Sequence, residues 1–175
     1  MANNCWNWIS FNGEVEELIG KFEKFNSISN TVEAYQSLFP KGYDVPSGEY
    51  LLDSNPKWFD VQIDYTEDKD NLIVSGDSAW SPPCNLVQLL CKAYGITARI
   101  EFEECGCEFG GYEEVNEEGE VVDSLDTTYI EWRYMNEGVE GMCSELDYYD
   151  EDDKEEFLEK VRAIMSEKDY NELIK

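Results

Sequence analysis

The sequence of 175 residues contains no histidine and few basic residues. Lysine and arginine number 13 against 40 aspartates and glutamates, so the formal net charge at pH 7 is −27. Without histidine, the chain lacks the side chain that most often acts as general base, metal ligand and pH switch near neutrality. The excess negative charge repels nucleic acid and anionic membrane surfaces. We therefore expect no direct contact with nucleic acid or membrane.

Other absences narrow the class of protein further. No run of residues approaches the 18 apolar residues of a membrane-spanning helix, and the opening Met1-Ala2-Asn3-Asn4 lacks the basic and apolar regions of an export signal. No GxxxxGK motif followed by serine or threonine is present, and no serine or cysteine nucleophile has a histidine partner. The sequence therefore favours a non-enzymatic protein of a reducing cytosol that needs no cofactor.

Hydrophobic residues make up 42% of the chain and aromatic residues 14%, which is enough for a packed core. Alternating and helical spacings of the apolar residues predict strands over 5–12, 58–65, 71–80 and from 97, and helices over 14–26 and 84–94. This βαββαβ order predicts an α+β, ferredoxin-like antiparallel sheet with its helices on one face. Residues 27–56 are predicted to be an insertion, with one possible short helix over 32–39.

The remainder of the chain is predicted to extend this sheet. Residues 112–115 and 120–122 flank a turn at 116–119 and predict a β-hairpin. Alternation of Ile130, Trp132 and Tyr134 with charged residues predicts a further strand over 129–135, and apolar spacing from Phe157 onward predicts a C-terminal helix that ends near 174. We assign residues 1–125 to the ferredoxin-like domain, and 126–175 to an acidic strand–linker–helix extension packed on it.

Four short stretches carry a resemblance to a known family. They are Asn4-Cys5-Trp6-Asn7, Lys57-Trp58, Ser78-Ala79-Trp80-Ser81-Pro82-Pro83, and Glu103 through Phe109-Gly110-Gly111-Tyr112. On these residues the chain, over about its first 125 residues, resembles the YubB-type ferredoxin-like family of bacteriophage and conjugative-plasmid proteins. It departs from the family in the insertion, in its acidity and in the tail after Asp123. The resemblance implies the fold and a mobile-element setting, and no catalytic residues.

The negative charge is concentrated in one third of the chain, because residues 101–156 contain 22 acidic and 2 basic residues. At one charge per ~1.7 Å of duplex axis, the net charge equals that of roughly 46 Å of DNA. A compact domain of this length is ~40 Å across. Together with the mobile-element setting that the resemblance implies, this charge predicts a nucleic-acid mimic that inhibits a basic, nucleic-acid-handling host defence protein, of the anti-CRISPR or anti-restriction type. The predicted partner-binding residues are Glu101, Glu103, Glu108, Glu113, Glu114, Glu117, Glu118, Glu120, Asp147, Asp150, Glu151, Asp152 and Asp153.

Two other functions are open at this point. In the first, the acidity serves only solubility, and the protein is a structural or accessory protein that forms a homodimer through its aromatic sheet or last helix. In the second, Cys105 and Cys107 begin a cysteine-ligated metal site, although no second close pair of cysteines exists. The acidic run 145–156 lacks the spacing and glycine of a calcium loop and is predicted to be a flexible linker. The five tryptophans are predicted to lie on strands and to serve packing.

Overall fold

The computed structural model describes residues 3–65 and 70–175, and its strands form one antiparallel sheet of order β2-β3-β1-β4-β5-β6. The first four strands and the helices between them have the βαββαβ connection, so the predicted ferredoxin-like α+β fold is confirmed. Strands β5 and β6 extend the sheet beyond β4 as a hairpin. The strands are β1 (Asn4–Asn12), β2 (Phe59–Tyr65), β3 (Asn71–Ala79), β4 (Thr97–Glu104), β5 (Phe109–Val115) and β6 (Val121–Thr128).

Helices of the first half of the chain cover one face of this sheet. Alternate strand residues such as Ile9 and Ile100 are buried against them, because successive side chains of a strand point to opposite faces. The insertion contains two short helices where one was predicted, and the side chains of Asn30 and Ser47 cap them. The four helices are α1 (Glu16–Phe25), α2 (Thr31–Ser37), α3 (Gly48–Ser54) and α4 (Cys84–Tyr94).

The prediction of a strand over 129–135 is wrong, because these residues begin helix α5 (Tyr129–Leu146). Thr128 caps this helix: its side chain accepts the N–H of Glu131, and the Glu131 side chain accepts the N–H of Thr128. This capping box fixes the helical start, whereas seven alternating residues are too few to distinguish the two periods. Trp132 therefore lies on a helix. Trp58 and Trp80 flank strands, so the prediction that all five tryptophans lie on strands is wrong as well.

The C-terminal region consists of two helices, α6 (Glu151–Ile164) and α7 (Glu167–Leu173), where one was predicted. Ser166 separates them and caps α7 by accepting the N–H of Asp169. The acidic run predicted as a flexible linker contains the first turns of α6. Helices α5, α6 and α7 enclose a second core, formed by Tyr129, Ile130, Met142, Phe157, Val161, Met165 and Leu173.

Helix α5, where a strand was predicted, lies on the face of the sheet opposite α1–α4. The helices of the βαββαβ unit share one face, as predicted. Trp132 lies directly over Gly110 of β5, and a Cβ atom at Gly110 would be 2.7 Å from the Trp132 Cβ. Over the described ranges, 3–65 and 70–175, no helix combines the length and apolar composition needed to cross a membrane.

Candidate acidic interface on the open sheet face

The face of the sheet opposite α1–α4, here called the open face, consists of three rows of side chains that run across all six strands. The strand register places these residues side by side, and α5 covers the part around Gly110, where Trp132 also meets the ring of Tyr112. From β2 to β6, the first row is Asp60, Asp77, Trp6, Glu103, Gly110 and Thr127. The second is Gln62, Ser75, Trp8, Glu101, Tyr112 and Leu125, and the third is Asp64, Ile73, Ser10, Arg99, Glu114 and Asp123.

Seven of the eighteen residues in these rows carry a carboxylate, and Arg99 is the one basic side chain among them. The Arg99 Nε lies 2.8 Å from Glu101 Oε1, and its Nη1 lies 2.7 Å from Glu114 Oε1. Its guanidinium carbon is 3.9 Å from the centroid of the Tyr112 ring. Asp60 and Asp77 are directly opposed on neighbouring strands, an arrangement of like charges that disfavours the sheet. The face therefore presents a fixed surplus of negative charge.

A second ionic cluster joins the open face to α5. The Arg133 Nη1 lies 2.7 Å from Glu137 Oε1 and 3.4 Å from Glu103 Oε1, and its Nη2 lies 3.9 Å from Glu145 Oε2. Burial raises the pKa of Glu103, and the charges of Glu137 and Glu145 raise it further while Arg133 opposes them. The Tyr129 hydroxyl donates to Glu145 at 3.2 Å. Three carboxylates thus share one guanidinium.

Between the open face and α5 lies a cavity of about 440 Å³. Its walls combine indole rings with carboxylates, and 41% of the Trp6 surface is exposed whereas Trp132 is buried. Such a wall composition suits a ligand that is both planar and positively charged. The lining residues are Trp6, Glu101, Glu103, Trp132, Arg133, Asn136 and Glu137.

Of the predicted partner-binding residues, Glu101, Glu103 and Glu114 lie on the open face. Glu113 points to the opposite face, where its carboxylate accepts a hydrogen bond of 2.9 Å from the Gln88 amide. Glu108 lies in the turn between β4 and β5 and forms an ion pair of 2.6 Å with Lys160 of α6. Glu113 and Glu114 are adjacent in sequence but lie on opposite faces of the sheet, because successive side chains of a strand alternate.

The other predicted residues lie at two further places. Glu117, Glu118 and Glu120 are exposed at the turn of the β5–β6 hairpin. Exposed Asp147, Asp150 and Asp153 lie where α5 passes into α6, and Glu151 and Asp152 belong to the first turn of α6, although their side chains lie outside the described part. The predicted residues therefore do not share one face, and their role in partner binding stays a prediction.

Sequence reasoning missed the acidic residues of the other half of the open face. Asp60 and Asp64 alternate with buried Phe59, Val61 and partly buried Ile63, a signal that marked them as solvent-facing. Their position beside Asp77 and in one row with Trp6 depends on strand pairing that no local pattern reveals.

The cysteines divide into a buried and an exposed group. Burial raises the pKa of Cys5 and of Cys91 to about 12. Both lie in the core between the sheet and α1–α4, and Cys84 packs half-buried against that core. Cys105 and Cys107 are exposed in the β4–β5 turn, where the buried Glu104 carboxylate accepts the N–H groups of Gly106 and Cys107. Cys143 is exposed on α5. Within the described residues, no three side chains of His, Cys, Asp or Glu gather as metal ligands. The metal site at Cys105 and Cys107 has no other support here and stays a prediction.

The chain was compared with protein families, with curated proteins and with solved structures. Residues 59–165, well over half of the chain, match the family described as the ferredoxin-like domain in Api92-like protein. The matched region runs from the start of β2 past the end of α6, and so includes residues beyond Asp123 that the sequence motifs did not assign to a family. No curated protein and no solved structure has significant similarity to the chain.

Proposed function

The chain belongs to the family of ferredoxin-like domains in Api92-like proteins, and we propose that it inhibits a basic host protein by occupying its nucleic-acid-binding groove. The partner is a defence protein that handles nucleic acid, such as a restriction enzyme or an RNA-guided nuclease. The setting is the cytoplasm of a bacterial host that carries a phage or plasmid. The resemblance of residues 1–125 to YubB-type phage and plasmid proteins supports this setting.

The observation that carries the proposal is the open face, where carboxylates are held on a rigid sheet. Neighbouring strands are about 4.8 Å apart and alternate residues of one strand about 7 Å apart, so the charges keep fixed relative positions. An acidic tail would lose conformational entropy on binding, whereas a preformed acidic sheet does not. Binding a basic groove releases counterions, as nucleic acid does when it binds there.

The experiment isolates partners from lysate of a bacterial host at low salt and then tests each purified partner against a labelled 30-bp DNA duplex. We expect the protein to displace the duplex and to inhibit the partner, with affinity that falls steeply as salt rises. A complex that contains no nucleic-acid-binding protein would refute the proposal. A dimer that persists at high salt, without such a partner, would favour the self-association alternative.

A charge-matched pair of variants tests whether the open face makes the contact. The first variant carries Asp60→Asn, Asp64→Asn, Asp77→Asn and Asp123→Asn, all on the open face. The control removes the same charge from exposed positions outside the predicted partner-binding set, through Glu49→Gln, Asp53→Asn, Glu155→Gln and Glu172→Gln. We expect the open-face variant to lose roughly ten-fold or more in affinity and the control to lose much less. Equal losses would assign binding to net charge alone.

A further inference from the structure

We propose that the cavity between the open face and α5 is a binding site for an arginine side chain. The biological source of this side chain rests on the function proposed above, since the partner is a basic protein. The site itself is defined by the residues of this chain and can be tested with a small arginine compound.

The first row of the open face sets the geometry of the cavity. Trp6, Glu103 and Gly110 are direct neighbours on β1, β4 and β5, and Trp132 lies over Gly110. Glu103 therefore lies in the row between Trp6 and the glycine that Trp132 covers, and all three side chains line the cavity. A planar cation that enters here can stack on an indole and pair with a carboxylate in the same position. The volume of about 440 Å³ falls in the range of about 300–1,000 Å³ that small-ligand sites occupy.

In the second and third rows of the open face, a guanidinium of this chain is already bound by an aromatic ring and two carboxylates. Arg99 stacks on the Tyr112 ring and binds the carboxylates of Glu101 and Glu114. The cavity offers the same combination, with Trp6 and Trp132 as the rings and Glu103 and Glu137 as the carboxylates.

The charge of the cavity favours the addition of a second cation. Arg133 is the one cation that contacts Glu103, Glu137 and Glu145 in the described structure, so negative charge remains in excess around it. Burial of Glu103 strengthens its attraction for a partner charge because the local dielectric is lower than that of water. Arginine is favoured over lysine because its planar guanidinium stacks on indole rings and is weakly hydrated. It also donates two parallel hydrogen bonds to one carboxylate.

The test titrates the full-length protein with N-acetyl-arginine amide and follows the indole N–H signals of the tryptophans by NMR. We expect saturable shifts of the Trp6 and Trp132 signals, with a dissociation constant of about 1 mM. N-acetyl-lysine amide should bind more weakly. The citrulline analogue has nearly the same shape without the charge and should not bind. Equal binding of the citrulline and arginine compounds would overturn the inference.

Two substitutions with matched controls locate the site. Trp6→Leu and Glu137→Gln should each weaken arginine binding by about five-fold, because they remove a ring and a carboxylate from the wall. Trp80→Leu removes another exposed tryptophan, and Glu49→Gln removes the same charge from an exposed position on α3, so both should leave binding unchanged. Similar losses in test and control variants would place the arginine compound elsewhere and refute the site.

Failure of the arginine site and failure of the proposed function give different results. If the purified partner binds the protein and its Trp6→Leu variant equally and the arginine compound does not bind, only the cavity inference is wrong. If the arginine compound binds at Trp6 but no basic nucleic-acid-binding partner is found, the cavity stands and the proposed function is wrong.

Discussion

At the scale of single residues, Glu103 lies where the ionic cluster of α5 meets the open face. Its pKa is raised first by burial and then by the negative charges of Glu137 and Glu145, against the opposing effect of Arg133. The folded state therefore binds a proton at Glu103 more tightly than the unfolded state does. The stability that this group contributes is complete below its unfolded pKa, near 4.5, and is lost as pH rises through the higher folded pKa.

The raised pKa of Glu103 predicts the effect of Glu103→Gln on stability, because glutamine resembles the protonated glutamate side chain. At pH 7 the variant should be more stable than the native protein, and the difference should shrink as pH falls toward 4.5. Urea unfolding across this pH range measures it. Glu117→Gln removes the same charge from the exposed hairpin turn and corrects for relief of the overall repulsion. A native protein more stable than Glu103→Gln at pH 7, after this correction, would contradict the sign.

At the scale of elements, the contact between α5 and β5 depends on the missing side chain of Gly110. A Cβ atom there would lie 2.7–2.8 Å from three atoms of Trp132, closer than carbon atoms pack. Helix α5 forms one wall of the cavity and carries Arg133, so this close approach determines both the cavity and the ionic cluster.

Gly110→Ala should therefore destabilise the protein by about 1–3 kcal/mol and move α5 away from the sheet. Gly20→Ala is the matched control: Gly20 lies within α1, its added methyl group would meet no atom within 4 Å beyond the local backbone of the helix, and alanine favours helix. The control should stabilise by about 0.5–1 kcal/mol. Denaturant unfolding gives both free energies, and an NMR shift of the Trp132 indole signal reports the displacement of α5. Equal stability of the two variants would refute the close packing.

At the scale of the whole molecule, a net charge of −27 opposes the compact state through self-repulsion. Salt shortens the screening length from about 30 Å at 10 mM to about 8 Å at 0.15 M, so it weakens repulsion between distant carboxylates. Contacts such as Arg99 with Glu114, at 2.7 Å, are affected less because they lie well within this length.

We expect the free energy of unfolding to rise by about 1 kcal/mol between 10 mM and 0.15 M sodium chloride, or roughly 2–4 °C in Tm. Scanning calorimetry at pH 7 measures this rise. Repeating the series near pH 4.5, where carboxylates are partly protonated, provides the control and should reduce the dependence on salt. A stability that falls with salt would show that ion pairs outweigh the repulsion.

Local sequence patterns determined the central fold because they are properties of short windows. The alternation in β1 and β4, the Pro82-Pro83 start of α4 and the glycine after Tyr94 act within a few residues, and these elements were predicted correctly. The start of α5 also has a local signal, the capping box of Thr128 and Glu131. The alternation of apolar and charged residues over 129–135 led to a strand prediction instead.

The sequence by itself determined that this protein is strongly acidic and that no histidine can act in it as a general base or metal ligand, because composition does not depend on folding. Only the tertiary structure decided where that charge lies on the surface. Strand β1 lies between β3 and β4, so Asp77, Trp6 and Glu103 become neighbours although most of the chain's first hundred residues separate them. Strand alternation also turned Glu113 away from the open face that Glu114 shares. Register between distant strands, which no local pattern specifies, thus set both the open face and its cavity.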